Sequence, residues 1–285
     1  MMTGRFGIAL GLVFLVGTGV TNASAQQRPL VTEDPETVGA GVLLVEAGLD
    51  YLVEEEFPAT GLTGDLFQFP TFGVSLGISS IAEIQIDGVL RSRLSIADRQ
   101  NAPLSGQLSV VGDSTAGGGD IIVGTKVRLK QEGAGTPAFG VRFATKLPTA
   151  SNESGLGLDT TDFLASLLVG KTIRSIRVVG NFGVAILGDP IEGDEQNSTL
   201  TYGVSFARAI REGLELVGEL NGRLDAQEGN PPPGTESRSV LRLGARYTHG
   251  AGRIDGGVVI GVTTIGPTVG FTAGYTHAFN AFTIP

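Results

Sequence analysis

Apolar and polar residues alternate with a period of two along most of the chain, from about residue 41 to residue 279. Between Ile84 and Ile96 the even positions are mostly apolar, while Glu83, Gln85 and Asp87 occupy odd positions. Successive side chains of a β-strand point to opposite faces, so this period predicts strands with one apolar and one charged face. The 44 glycines disfavour helix. The alternation therefore predicts an all-β chain.

The alternating segments are longer than the strands of a soluble β-sandwich. Such strands usually have about five or six residues, whereas a tilted strand needs about ten to cross a bilayer. We predict about twelve strands, near residues 41–55, 66–79, 82–96, 120–130, 138–147, 162–171, 175–187, 199–209, 213–225, 237–249, 253–263 and 268–279. Short connections alternate with longer ones. This asymmetry predicts an all-β transmembrane antiparallel up-and-down β-barrel with both termini in the periplasm.

The first 25 residues have the pattern of a cleavable secretory signal. Arg5 precedes an apolar run from Phe6 to Val20, and Ala23-Ser24-Ala25 then forms an A-x-A cleavage site. An uncleaved membrane anchor is the alternative, but the run is short and interrupted by glycine. We therefore predict a signal peptide at residues 1–25 and one barrel domain at residues 26–285, located in the bacterial outer membrane.

Charge and cysteine content exclude several classes of function. The net charge is −9 and becomes −10 without residues 1–25, because Arg5 is the only charged residue there. No basic cluster is available to bind a nucleic acid backbone, so no nucleic acid partner is expected. The chain has 0 cysteines, which excludes a disulfide framework, a catalytic thiolate and a cysteine zinc site. We expect outer-membrane lipid, a small-molecule solute and the barrel-assembly machinery as partners.

Charged residues of both signs lie on the polar face of the predicted strands, which lines the lumen of a barrel. The lumen-facing candidates are Glu83, Asp87, Arg91, Arg93, Asp120, Lys126, Arg128, Arg142, Lys146, Arg177, Glu219, Arg223, Arg242 and Arg246, together with Asp255. They could form ion pairs that fill a narrow lumen, or a polar constriction that selects solutes by size and charge. About twelve strands is compatible with an open or a plugged barrel.

Candidates for catalysis are weak. His249 and His277 are expected at the periplasmic rim, away from the outer leaflet, which argues against a Ser–His hydrolase. Residues 119–126 look briefly like a phosphate loop, but they alternate as a strand and precede no helix. The acidic loop at residues 192–195 lacks the spacing of a calcium loop. We predict no catalytic residue, no metal site and no cofactor.

Three stretches resemble the outer-membrane barrel family named for meta-pathway phenol degradation. They are RPLVTEDPETVGAG (28–41), GDIIVGTKVRL (119–129) and VRFATKLPTASNESGLGLDTTDF (141–163). Members of this family are commonly described only as transporters, so the resemblance implies passage of small, often aromatic or hydrophobic, molecules across the outer membrane. The final strand also resembles the closing signature of outer-membrane barrels, although residues 280–285 follow its last phenylalanine.

Three functions remain open at this point. The first is a channel or facilitator for the passive passage of small molecules, which is not an enzyme. The alternative is a structural or adhesive barrel with a plugged lumen, whose external loops at residues 97–119 and 226–236 bind a partner surface. An outer-membrane hydrolase is the third.

Overall fold

The computed structural model describes residues 28–227 and 229–283, so the predicted signal peptide at residues 1–25 lies outside the described residues. The strands are β1 (Val42–Phe57), β2 (Leu62–Gly77), β3 (Ala82–Val89), β4 (Ser92–Arg99), β5 (Ser114–Gly117), β6 (Ile121–Lys130), β7 (Ala138–Leu147), β8 (Asp162–Ile173), β9 (Ile176–Gly188), β10 (Gln196–Arg211), β11 (Leu214–Asp225), β12 (Arg238–His249), β13 (Gly252–Gly261) and β14 (Val269–Asn280). Two 3-10 turns, Ser105–Gln107 and Asn152–Ser154, lie in connections. Within the described ranges, no helix is long and apolar enough to span a membrane.

The strands form one closed antiparallel sheet. β1 pairs with β14 on one side and with β2 on the other, which leaves no free edge at the seam. β2 pairs with β3 along one half and with β4 along the other. β3 then pairs with β6, and β4 with β5. β3 with β4, and β5 with β6, each form one strand of the barrel, so the predicted 12-stranded barrel is confirmed.

The two faces of the barrel wall differ in polarity as the alternation predicted. Large apolar side chains are exposed on the outer face, for example Phe143 (58% exposed) and Phe182 (61%). Charged side chains are buried on the inner face, for example Lys126 (0%) and Glu219 (1%). Apolar side chains outside and charged side chains inside are the arrangement that a bilayer requires of a barrel.

β2, and the neighbouring strand formed by β3 and β4, share a local irregularity. Residues beyond it face the lumen where the alternation would place them on the lipid side, and the reverse. Pro70 in β2 has no N–H to donate, and it lies opposite Leu90, whose N–H donates to the Pro70 carbonyl (3.0 Å). Beyond this point Ser92 and Leu94 of β4 are buried, and Leu94 packs in the interior. The sequence alternation continues unbroken through the irregularity, so it predicts the opposite orientation for the residues of β4.

Two predicted lumen residues are corrected by this irregularity. Arg91 and Arg93 are both exposed, while the neighbouring Ser92 bonds to Gln68 inside the barrel (3.2 Å). The predictions that Arg91 and Arg93 face the lumen and that Leu94 faces lipid were therefore wrong. The reason is that two consecutive residues, Leu90 and Arg91, separate β3 from β4 and shift the period by one position.

The external end of the barrel is closed over an apolar cluster. Leu62, Leu66 and Leu94 are buried together, and Leu108 and Leu156 from the long external connections pack against them. The connections are also bonded to each other and to the barrel rim, through Ser109 to Glu153, Thr115 to Ser154 and Thr60 to Gly155. The predicted loop at 97–119 is shorter in the structure, because β5 pairs with β4.

A charge on the outer face should destabilise the barrel, because that face has no water to solvate it. We expect Phe143→Arg to lower the free energy of unfolding by about 2–4 kcal/mol, the cost of a cation near the bilayer midplane. The matched control is Val111→Arg in an external connection, where the side chain is 93% exposed. Urea unfolding in lipid vesicles measures both variants. Equal effects of the two substitutions would contradict the assignment of the lipid face.

Candidate functional site

Residues 28–41 precede β1 and run inside the lumen; we call them the plug segment. Pro29 and Pro35 have no N–H and so favour an irregular path over a paired strand. At one end, Gly41 donates its N–H to the Gly77 carbonyl at the end of β2 (2.8 Å). At the other end, Arg28 lies beside Gly48, midway along β1. The plug segment therefore occupies the periplasmic half of the lumen.

Glu33 of the plug segment is held by several inward-facing side chains. Its carboxylate lies 3.2 Å from Lys126 Nζ and 3.1 Å from Arg142 Nε, and it accepts a hydrogen bond from Gln85 (3.2 Å). Asn181 of β9 accepts a hydrogen bond from the Glu33 N–H (2.7 Å) and donates one to the Glu33 carbonyl (2.8 Å). Because Lys126 and Glu33 are both buried, each needs the other as a partner for its charge.

Asp34 is held by a two-pronged contact with Arg177 of β9. The Nε and Nη2 atoms of Arg177 donate to the two carboxylate oxygens of Asp34, at 2.8 and 2.7 Å. The Nη1 atom donates to Glu132 in a periplasmic connection (2.6 Å). Partial desolvation raises the pKa of Glu132, but hydrogen bonds from Thr172 and Lys171 outweigh it and hold this pKa below its usual value. Glu132 is thus an ionised anchor for Arg177.

Arg28 lies on the opposite side of the lumen, among carboxylates of β1 and β13. Its Nε atom is 3.6 Å from Asp255, and its Nη2 atom is 4.0 Å from Asp50 and donates to the Thr272 hydroxyl (2.9 Å). Its backbone N–H lies 3.4 Å from the Glu46 carboxylate. The plug segment therefore has its cation against an acidic part of the wall and its carboxylates against a basic part.

Carboxylates of the wall also bind the backbone of the plug segment. Glu219 accepts hydrogen bonds from the N–H groups of Val31 (2.9 Å) and Thr32 (2.8 Å). Glu83 accepts one from the N–H of Val38 (2.7 Å). These contacts satisfy backbone donors that have no strand partner, so the path of the segment is specified by the wall.

Glycines of the wall leave room for the plug segment where it touches the strands. A Cβ atom at Gly203 of β10 would lie 2.8 Å from the hydroxyl of Thr32. At Gly48 it would lie 2.2 Å from the guanidinium of Arg28. Both distances are shorter than normal van der Waals contacts, so a larger residue would displace the segment at Thr32 and the guanidinium of Arg28 at Gly48.

Two separate cavities in the lumen are formed by the residues that the structure describes. An outer chamber of about 340 Å³ lies beneath the external connections, and its lining includes Leu52, Phe57, Leu66 and Leu156. A periplasmic funnel of about 1140 Å³ is lined by plug residues and by the periplasmic ends of the strands. The plug residues that line the funnel are Leu30, Thr32, Asp34, Glu36, Thr37, Val38 and Gly39. The plug segment therefore forms part of the wall of the funnel.

The predicted lumen residues fall into two groups besides the corrected pair Arg91 and Arg93. The residues that contact the plug segment are Glu83, Lys126, Arg128, Arg142, Arg177, Glu219 and Asp255. The residues that bond within the wall or to an external connection are Asp87 (to Arg142, 3.4 Å), Asp120 (to Lys146, 3.6 Å), Lys146 (to Asp162, 2.8 Å), Arg223 (to the Gly234 carbonyl, 2.6 Å), Arg242 (to Glu219, 3.1 Å) and Arg246 (to Glu215, 2.6 Å). The first group brings the site together around the plug segment.

The sequence did not identify the plug residues Arg28, Glu33, Asp34 and Glu36. It also did not identify Asn181, which bonds to the backbone of Glu33. In the sequence, the plug segment carries the family resemblance but no strand alternation. A signal was nevertheless present, because cations outnumber carboxylates among the predicted lumen residues. A segment with three carboxylates just before the first strand could supply the missing negative charge.

The two histidines lie near the ends of β12 and β14, on the side of the short connections, which is the side expected to face the periplasm. His277 Nδ1 is 3.0 Å from the hydroxyl of Tyr275, and its ring lies 4.4 Å from the ring of Phe279. Tyr275 and Phe279 are exposed on the outer face. His277 is therefore part of an aromatic row at the membrane interface.

Comparisons with known proteins agree with this architecture. The family described as "Putative MetA-pathway of phenol degradation" matches residues 26–279. Among curated proteins, no sequence matches the chain. The COG4313 outer membrane channel from Pseudomonas putida F1 has a TM-score of 0.63 at 14% identity, over 86% of this chain and 98% of that chain.

Two further solved structures are less similar. The translocator domain of the autotransporter NalP from Neisseria meningitidis has a TM-score of 0.48 at 13% identity, over 85% of this chain and 89% of that chain. The Pseudomonas putida toluene transporter TodX has a TM-score of 0.40 at 11% identity, over 87% and 92%. At these identities, similarity of structure concerns the fold alone. The chain is a bacterial outer-membrane β-barrel.

Proposed function

The chain belongs to the MetA-pathway phenol-degradation family, and from this premise we propose that it is a channel for small molecules whose lumen the plug segment holds closed. The observation that carries the proposal is the position of residues 28–41 inside the lumen, between an outer chamber and a periplasmic funnel. Passage requires this segment to move. The proposed channel is passive and is not an enzyme, and its insertion would depend on the barrel-assembly machinery.

The contacts of the plug segment support a displaceable closure. Between Val31 and Thr37 they are mainly ion pairs and hydrogen bonds, which water and salt can replace. Gly39 and Gly41 have φ angles of +94° and +73°, which glycine adopts more readily than other residues. These glycines lie where the segment meets β1, so they form a natural hinge for its movement out of the lumen.

The outer chamber supports a solute with an apolar body. Its lining combines apolar side chains, among them Leu52, Phe57, Leu66 and Leu156, with the polar or charged side chains of Asp50, Glu55, Gln68, Ser92, Asp120, Arg238 and Arg242. Its charges are already paired, since Glu55 lies 2.7 Å from Arg238 and Arg242 lies 3.1 Å from Glu219. A volume of about 340 Å³ is near the lower end of ordinary ligand sites. Small aromatic or hydrophobic molecules are therefore the proposed solutes that enter from outside.

The second candidate is a structural barrel whose plug segment never leaves. Two buried contacts favour it, because the Lys126 ammonium lies within 3.2 Å of both Glu33 and Glu83 and would lose one partner if the segment moved. The two candidates differ in whether ions ever cross the barrel. Conductance decides between them.

We expect the full-length protein to show only brief, small conductance steps in planar bilayers. Deletion of residues 28–36 should raise the single-channel conductance several-fold. Residues 1–27 are kept, so the predicted signal and cleavage site are unchanged. A heat-modifiable gel shift of the same sample checks that the deleted protein is a closed barrel. A folded deletion variant with no conductance would refute the channel and leave the structural barrel.

A triple variant that keeps the chain length controls for the loss of residues. Glu33→Gln, Asp34→Asn and Glu36→Gln remove the three carboxylates and leave the backbone contacts of the segment. We expect this variant to open more often than the full-length protein, with the same conductance as the deletion. If the triple variant opens no more often than the full-length protein, the three carboxylates do not hold the plug segment in the lumen.

A further inference from the structure

Four cations on three strands of one side of the barrel face the lumen. We call Lys126 and Arg128 of β6, Arg142 of β7 and Arg177 of β9 the cationic wall. Each of them lies against a carboxylate of the plug segment. The cationic wall therefore binds carboxylates in this structure, and these carboxylates belong to the plug segment.

The contacts have the geometry of carboxylate recognition. Arg177 binds the Asp34 carboxylate through two N–H donors, at 2.8 and 2.7 Å. Lys126 and Arg142 approach the neighbouring Glu33 at 3.2 and 3.1 Å. A planar guanidinium with two donors is the side-chain group best suited to a carboxylate. The wall thus contains two adjacent positions for carboxylates, each with its own cations.

Carboxylates of the barrel itself neutralise the cationic wall only in part. Glu83 lies 3.0 Å from Lys126 and Asp87 lies 3.4 Å from Arg142. Glu132 is shared, because it contacts Lys171 (3.1 Å) as well as Arg177 (2.6 Å). Departure of the plug segment would therefore leave an excess of positive charge on this side of the lumen. Binding of an anion would restore the balance.

The opposite side of the lumen has the reverse charge. Asp50, Asp255 and Glu46 surround Arg28 of the plug segment. An anion in the opened lumen is repelled from these carboxylates and attracted to the cationic wall. Both effects direct it to the same position.

We propose that the cationic wall is a binding site for small dicarboxylate anions, which take the place of the plug carboxylates when the plug segment leaves. This inference rests on the proposed function only in that the segment must leave for the site to be reached. It names a second class of solute contact, closer to the periplasmic funnel than the outer chamber is.

The deletion of residues 28–36 exposes the site and allows a direct test. In planar bilayers, succinate is expected to block the deleted channel at a concentration about tenfold lower than acetate, because its two negative charges are attracted more strongly to the four cations of the wall. Isothermal titration calorimetry of the same protein with succinate measures binding without any need for conductance. A non-conducting deletion variant that binds succinate would refute the channel and keep the site.

Matched substitutions in the deletion background locate the site. Arg142→Gln and Arg177→Gln should each reduce the difference between succinate and acetate to less than about twofold, since each removes one of the cations that attract the additional charge of succinate. Arg246→Gln is the control, because Arg246 lies on another strand and pairs with Glu215 (2.6 Å). Equal binding of succinate and acetate, or equal effects of all three substitutions, would overturn the proposal.

Discussion

Replacement of Lys126 by methionine is expected to open the channel and to destabilise the barrel. The Lys126 side chain is fully buried, and its ammonium lies 3.2 Å from Glu33 and 3.0 Å from Glu83. Methionine fills a similar volume but leaves the two carboxylates without their common cation. Removal of one partner from a buried ion pair costs about 3–5 kcal/mol. Part of this cost is relieved if the plug segment leaves and Glu33 reaches water.

Two measurements on Lys126→Met separate these effects. Single-channel recording is expected to show openings as large as those of the 28–36 deletion, and urea unfolding in vesicles gives the loss of stability. The control is Lys130→Met on the same strand, where the side chain is exposed. If both variants behave like the unmodified protein, Lys126 does not hold the plug segment.

Introduction of a valine at Gly203 is expected to displace the plug segment without changing any charge. A Cβ atom here would lie 2.8 Å from the Thr32 hydroxyl and 3.4 Å from its methyl group. Valine is well suited to a strand, so the wall itself should tolerate it. The segment is held by polar contacts and should give way before the barrel does, with conductance close to that of the deletion.

Gly180→Val is the matched control for this steric test. Gly180 lies on the adjacent strand β9, where it pairs with Val204, the neighbour of Gly203. A Cβ atom at Gly180 would meet no atom within 4 Å. We expect Gly180→Val to conduct like the unmodified protein. Increased conductance in both variants would mean that damage to the wall, and not displacement of the segment, opens the channel.

The barrel could be predicted from sequence because its wall follows a local rule. Strand alternation depends on neighbours two positions apart, so Phe143, Lys126 and Glu219 could each be assigned to a face without knowledge of any partner. The prediction was wrong at Arg91 and Arg93, where the irregularity opposite Pro70 exchanges the faces. The one-residue shift between β3 and β4 leaves no trace in the sequence, because apolar residues continue to alternate on both sides of it.

The plug segment could not be predicted in the same way, because its partners are far away in sequence. Glu33 meets Lys126 and Arg142, and Asp34 meets Arg177, across strands that the period alone does not bring together. An irregular segment has no periodicity to reveal its surroundings. What the sequence did contain was a surplus of cations on the predicted inner face, which required carboxylates from outside the strands.

The base of the plug segment is completed by the C-terminal end of the chain. The carbonyl of Gly41 accepts hydrogen bonds from the N–H groups of Ala281 (2.8 Å) and Phe282 (3.3 Å), just beyond the strand that closes the barrel against β1. β14 and the residues just after it therefore complete both the seam and the anchor of the plug segment. A nascent barrel with an open seam lacks this anchor, so sealing against leakage and closure of the cylinder are completed in the same step of assembly.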